Sequence, residues 1–322
     1  MAPAFIGIIR IKALEVNLGF ANVLDITVKT RINIARSLTQ RSDFQRHRFF
    51  MTENNGISLR GVEMIITYRG ANHERRDNLS AVLRHLARTY SDYQIWLIEA
   101  DATPRFDWCE FGDPRIRHLF VHDTGPFPKA RLVNLGALMA KSPIICLHDA
   151  DMIANPSFMK AALDALIDCN NSDALCPFTR VLNVSGNRRQ SFIESGDFAE
   201  FAPFLESDLP DEISLLYANT PGAINLFKRA EFIRIGVLDP GFIGWGGEDD
   251  DLFLRAARLG VRWHALSDPK AALFHLHHDS ASRLQICEEE DSARNRQMAS
   301  RTGEISIEEL EARAAELAKF FR

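Results

Sequence analysis

Between residues 62 and 147, short apolar runs alternate with helix-periodic stretches, and few folds accommodate that alternation. Val62-Glu63-Met64-Ile65-Ile66-Thr67-Tyr68 has the length and β-branched content of a buried strand. Residues 78–90 place Leu79, Leu83 and Leu86 on one helical face, and residues 93–99 read as a second strand. A helix is expected over residues 129–141, then the apolar run Ile144-Ile145-Cys146-Leu147, then another helix over 155–169. Strand–helix–strand alternation predicts an α/β fold, with a mostly parallel central sheet flanked by helices. Residues 183–218 hold Gly186, Gly196, Pro203 and Pro210 among polar residues and read as a long, partly irregular insertion. Near the C-terminus, Ser306 with Glu309 three residues on is a capping box ahead of a helical apolar stripe.

Bulk properties narrow the function classes. The chain has 322 residues, 46% hydrophobic and 25% charged, with a net charge of −5, as in an ordinary globular protein. A slightly acidic chain without a long basic run points away from nucleic acid as a partner. Five scattered cysteines with no C-x-x-C pair read as reduced thiols of a cytoplasmic protein and argue against a cysteine-built zinc site. No stretch reaches the roughly 18 uncharged apolar residues of a membrane span. The apolar start, with Phe5, Ile6, Ile8 and Ile9, is broken early by Arg10 and Lys12; it reads as a buried strand, with peripheral membrane contact as the alternative.

Three polar clusters carry the chemistry. Asp149-Ala150-Asp151 follows a buried strand, where ligands bind in open parallel sheets. In an extended segment both carboxylates share a side, as hard oxygen ligands for Mg²⁺ or Mn²⁺; the alternative is a turn capping the next helix. His275, His277 and His278 follow the apolar stretch ending at Phe274. His275 and His277 share a face if extended, and imidazole suits transition metals. Third, Trp245-Gly246-Gly247 leads into Glu248-Asp249-Asp250-Asp251. A helix is expected to start here, because Leu252, Ala256 and Leu259 keep helical spacing and Asp251 pairs with Arg255 at i,i+4. Acidic residues suit a first helical turn, but one or two would be enough.

In this order along the chain the clusters resemble the β-1,4-galactosyltransferase family and its bacterial relatives, metal-dependent inverting glycosyltransferases of the GT-A fold, whose sheet is Rossmann-like. Trp245 through Asp251 is similar to the family's acidic signature. Ile65-Ile66-Thr67-Tyr68-Arg69 resembles its first strand and nucleotide-binding turn, with Thr67 where a proline is usual. Residues 127–136, FPKARLVNLG, resemble its FNRAKLLNVG segment, and Asp149-Ala150-Asp151 its metal-binding Asp-x-Asp. The resemblance covers about residues 60–280. It implies an N-terminal extension of unassigned role (1–58), a GT-A glycosyltransferase domain (59–290) and a C-terminal helical tail (291–322).

The resemblance also implies roles. Asp151 is the direct metal ligand, with His275 as the imidazole ligand and His277 its alternative, for Mn²⁺ or Mg²⁺. Thr67, Tyr68, Arg69, Phe127, Lys129 and Asp149 serve the nucleotide part of a nucleotide-sugar donor, a UDP-sugar by family habit. Asp249 is the base that takes the acceptor's proton, Asp250 grips the acceptor, and Trp245, Gly247 and Glu248 serve the sugars. A carboxylate crowded by others in a dry cleft is driven towards a working pKa, which gives the surplus acidity a purpose. The expected activity is inverting transfer of a hexose to a saccharide or glycolipid hydroxyl. Two rivals stand beside it: a catalytically weak sugar-nucleotide- or glycan-binding protein, and an all-helical metal-dependent phosphohydrolase built on His148-Asp149, His275 and His277.

Overall fold

The computed structural model describes residues 56–107, 111–168, 172–205, 209–244, 246–279 and 289–321, all within one compact unit spanning Arg36–Arg322. Residues 1–55, which hold the apolar N-terminal start, and Trp245 of the acidic signature lie outside the described residues.

In chain order the described residues form β1 (Ile57–Tyr68), α1 (His73–Thr89), β2 (Tyr90–Asp101), β3 (Ile116–His122), α2 (Lys129–Met139) and β4 (Ile144–Asp149). Then come β5 (Met152–Ala154), α3 (Pro156–Asp168), β6 (Ala174–Cys176), β7 (Arg180–Val184), α4 (Gly186–Ser195), β8 (Ile213–Ala218), β9 (Ile224–Lys228) and α5 (Arg229–Arg234). The acidic signature opens α6 (Glu248–Arg258), followed by β10 (Trp263–Ala265), β11 (Ala272–Leu276), α7 (Glu289–Glu304) and α8 (Ile307–Leu317).

The central sheet has the order β10-β6-β9-β4-β1-β2-β3, and only β9 runs against its neighbours. This is the α/β architecture expected of a GT-A fold, a mostly parallel sheet flanked by helices, and it is not the all-helical fold of the phosphohydrolase rival. Residues 62–68 of β1 are buried throughout, Glu63 and Thr67 included, because β1 lies between β2 and β4. From β1 the chain builds outward to β2 and β3 on one side, then crosses to β4 on the other. Strand order therefore reverses between β1 and β4, and a crevice opens beyond their carboxyl ends.

One expectation needs correcting. Residues 183–218 are not merely an irregular insertion: they supply β8 and complete β7, which join β5 and β11 in a second sheet, β5-β11-β7-β8. That sheet matters for the site, because β5 pairs with β11 so that Met152 lies opposite His275. The Ser306–Glu309 capping box forms as expected at the start of α8. Cys146 and Cys176 are buried free thiols. No described helix is long and apolar enough to cross a membrane.

Candidate active site

A cavity of about 480 Å³ occupies the crevice at the carboxyl ends of β1 and β4. Thr67 and Asp149, opposite one another in the β1–β4 ladder, both line it. The histidine segment reaches it on β11 and the acidic signature on α6, so the three distant clusters meet in one pocket.

On one wall, Asp151, His275 and His278 bring a carboxylate oxygen and two ring nitrogens within 4.8 Å of one another. His278 Nε2 lies 3.2 Å and His275 Nε2 3.8 Å from Asp151 Oδ2. The backbone enforces this meeting, since Leu276 donates its N–H to the Asp151 carbonyl at 2.8 Å. His275 Nδ1 hydrogen-bonds Asn183 Oδ1 at 2.8 Å, which turns Nε2 toward the carboxylate in the way metal-binding imidazoles are oriented. Burial opposes ionisation of Asp151, yet the His278 hydrogen bond and the two imidazoles hold its carboxyl below the ordinary carboxylate range. One carboxylate and two imidazoles suit a divalent ion such as Mn²⁺. His277, the alternative ligand, is exposed and lies 3.4 Å from Asn183 Nδ2, outside this group. The reason is local: β11 ends at Leu276, so the period-two pairing of residues 275 and 277 stops there and His278 turns inward instead.

The opposite wall is the first turn of α6. Gly247 caps this helix at φ 85°, and a side chain there would put its Cβ 2.9 Å from the Asn295 carbonyl oxygen, so glycine is required twice over. The four carboxylates separate. Glu248, Asp249 and Asp250 line the cavity, whereas Asp251 is wholly buried behind it. Lys129, from the first turn of α2, sits among the cavity's acids. Its Nζ lies 3.1 Å from Glu248, 3.2 Å from Asp249 and 3.4 Å from Asp149. Burial alone would lower the Lys129 pKa, but these three carboxylates hold it well above its ordinary value. Burial also pushes Glu248 upward, against the pull of Lys129. Asp149 is pushed up to about 7 by burial and by its acidic neighbours, with Lys129 opposing. Asp149 and Asp151 therefore have different partners: β4 ends at Asp149, the chain turns, and Asp149 faces the lysine while Asp151 faces the histidines.

The nucleotide-side residues expected from the sequence, Thr67, Tyr68, Arg69 and Phe127, line the same cavity. Arg69 has internal partners: it donates to the Ala100 and Gly125 carbonyls at 2.7 and 2.6 Å, pairs with Asp123 at 2.9 Å, and lies 5.4 Å from the Phe127 ring centre. Its guanidinium shapes the pocket wall and buttresses Phe127. The Tyr68 hydroxyl is buried with no hydrogen-bond partner among the described residues. Sequence reasoning passed over Arg75, Tyr217, Ser292 and Arg296, which also line the cavity. The exposed face of a helix near the C-terminus gives no sequence signal that Ser292 and Arg296 border a pocket formed some 40 residues earlier.

Comparisons with known proteins find partial matches. Residues 210–279 match the family model described as the N-terminal domain of galactosyltransferase. Over 48 residues the chain is 40% identical to beta-1,4-galactosyltransferase 2 of Cricetulus griseus and to that of Mus musculus. The matched stretch is 15% of this chain and spans only 13% of the length of those relatives. Among solved structures, the chain is similar to the catalytic domain of Drosophila beta1,4-galactosyltransferase 7 in complex with xylobiose, at 17% identity and a TM-score of 0.43, covering 76% of this chain and 79% of that one. A mutant of that protein in complex with manganese, UDP-Gal and xylobiose matches at 17% identity and a TM-score of 0.42, covering 69% and 73%.

Proposed function

With residues 210–279 carrying β-1,4-galactosyltransferase-like sequence, we propose that the chain is a metal-dependent inverting glycosyltransferase that moves a hexose from a UDP-sugar to a hydroxyl of a saccharide or glycolipid. The observation that carries this reading is the meeting of Asp151, His275 and His278 with Glu248, Asp249 and Asp250 around one cavity at the β1–β4 switch point. The two imidazoles favour Mn²⁺ over Mg²⁺. Asp151, His275 and His278 would hold the cation, which would supply positive charge against the negative charge of a diphosphate leaving group.

The chain's own groups do the rest. The hydroxyl oxygen of the acceptor forms a bond to the anomeric carbon. The bond from that carbon to the diphosphate oxygen breaks and leaves its electron pair on the diphosphate, while the hydroxyl proton passes to the Asp249 carboxylate. Lys129 holds Glu248, Asp249 and Asp149 together and offsets part of their mutual repulsion, so Asp249 is fixed for that proton. Asp250, exposed at the cavity, accepts hydroxyls of the acceptor, and Glu248 those of the donor sugar. Phe127, stiffened by Arg69, offers an apolar face to the base.

The test is release of nucleoside diphosphate from a panel of UDP- and GDP-sugars with Mn²⁺, comparing the wild type with Asp249→Asn. Release that depends on Mn²⁺, is stimulated by a saccharide acceptor and is lost in the variant supports transfer. Equal slow release from both proteins leaves the binding-protein reading instead.

A further inference from the structure

The fourth acid, Asp251, and the C-terminal helices are not accounted for by this chemistry. Asp251 is fully buried and faces away from the cavity. Its carboxylate accepts from Arg255 Nε at 2.9 Å and from Thr302 Oγ1 at 2.5 Å, and it pairs with Arg313 at 3.0 Å. Arg255 belongs to α6 itself, but Thr302 is on α7 and Arg313 on α8, both beyond the segment that matches the galactosyltransferase family. Arg313 also donates to Thr302 Oγ1 at 2.6 Å and to Asp239 Oδ2 at 2.5 Å, and so joins the α6 helix to the loop that leads into it. Arg255 holds the same loop through the Ile235 and Val237 carbonyls. Further along, Asn295 of α7 donates to the Ile243 carbonyl at 2.9 Å. Contact is close enough to constrain side-chain size, since a Cβ at Gly236 would lie 2.6 Å from Ala314 Cα of α8.

We propose that α7 and α8 form a brace that sets the first turn of α6, with Arg313 as a positioning residue acting on Asp249 through Asp251. Residues 248–251 span one helical turn, so their side chains move together with any rotation or tilt of its backbone. Lys129 holds the front of that turn, and Arg255, Thr302 and Arg313 hold its back. A carboxylate buried among two guanidiniums and a hydroxyl has one satisfied geometry, and departures from it leave charge unpaired. Displacing a reacting group by about 1 Å costs on the order of 10²-fold in rate. Thr302 and Arg313 do not line the cavity, so their effect falls on turnover and not on donor binding.

This inference takes its activity readout from the proposed transfer reaction, and the two fail separately: a wild type inert on every nucleotide sugar defeats the function, whereas the variants below defeat only the brace. Arg313→Ala and Arg313→Lys are assayed well below their unfolding temperatures with UDP-sugar and Mn²⁺. We expect Arg313→Ala to lower kcat by about 10²-fold with an unchanged donor KM, and Arg313→Lys to recover part of that loss. A contact that only stabilises the fold moves Tm and leaves kcat untouched. Wild-type kcat in a folded Arg313→Ala protein overturns the proposal, as does a loss confined to donor KM. Should Arg313→Ala not fold, Thr302→Val, which keeps both arginines, decides by the same criterion.

Discussion

The front and back of α6 present the same chemical group to opposite environments. Asp249 faces the cavity beside Lys129, whereas Asp251, two residues on, is packed at 0% exposure between Arg255 and Arg313. Helical geometry alone separates them, because two residues turn the side chain through about 200°. The lesson is that a run of four acids is not one feature. Three of them border a pocket and can act on a ligand; the fourth secures the helix that carries them. Of the front three, Glu248 and Asp249 are held by one lysine from another segment, and Asp250 is exposed.

If that division holds, substitutions on the two faces fail in different ways. The largest effect is expected from Asp249→Asn, which removes the proton acceptor and should lower transfer by about 10²–10⁴-fold while stability stays within about 1 kcal/mol of wild type. A steady-state assay beside a urea melt reads both, and a matching fall in stability breaks the contrast. Asp251→Ala should lower stability as well as turnover, because it removes the carboxylate through which the back of α6 is held. It leaves the buried Arg255 without its carboxylate and Arg313 with Asp239 alone, and should cost about 3–5 kcal/mol of unfolding free energy, seen as a lower urea midpoint. Next comes Asn183→Ala, which frees the His275 ring and should weaken Mn²⁺ affinity by about 10–100-fold without a comparable loss of stability.

The smallest effect concerns pH. Glu248 is raised above its ordinary value of 4.5 by burial, so the folded state binds its proton more tightly than the unfolded state. Its contribution to stability is therefore fully present below pH 4.5 and is lost as pH rises through the folded value. Glu248→Gln should flatten that part of the stability–pH curve; an unchanged slope removes Glu248 from the account.

Much of this was legible in the sequence because it is local. The strands at 62–68, 93–99 and 144–147 announced themselves by apolar runs, and α6 by its period, its glycine entry and the Asp251–Arg255 pair. What escaped depends on distance along the chain or on where an element stops. β7 and β8 are short and irregular in pattern; they pair with each other, and β7 joins them to β11, which begins about 90 residues after β7. That His278 joins His275, where the sequence offered His277 as the alternative, follows from a strand ending at Leu276, and element ends are set by tertiary packing. Lys129 was found by its neighbours in sequence, but its three carboxylate partners come from β4 and α6.

The central claim, that the histidine and acidic segments share one cation-dependent nucleotide site, is tested most directly by electron paramagnetic resonance of Mn²⁺ titrated into the protein with UDP. The account predicts that wild type and His277→Ala bind Mn²⁺ and quench the free-ion signal, while Asp151→Asn and His278→Ala leave it free. Free Mn²⁺ in the wild-type sample, or equal binding by all four proteins, contradicts it.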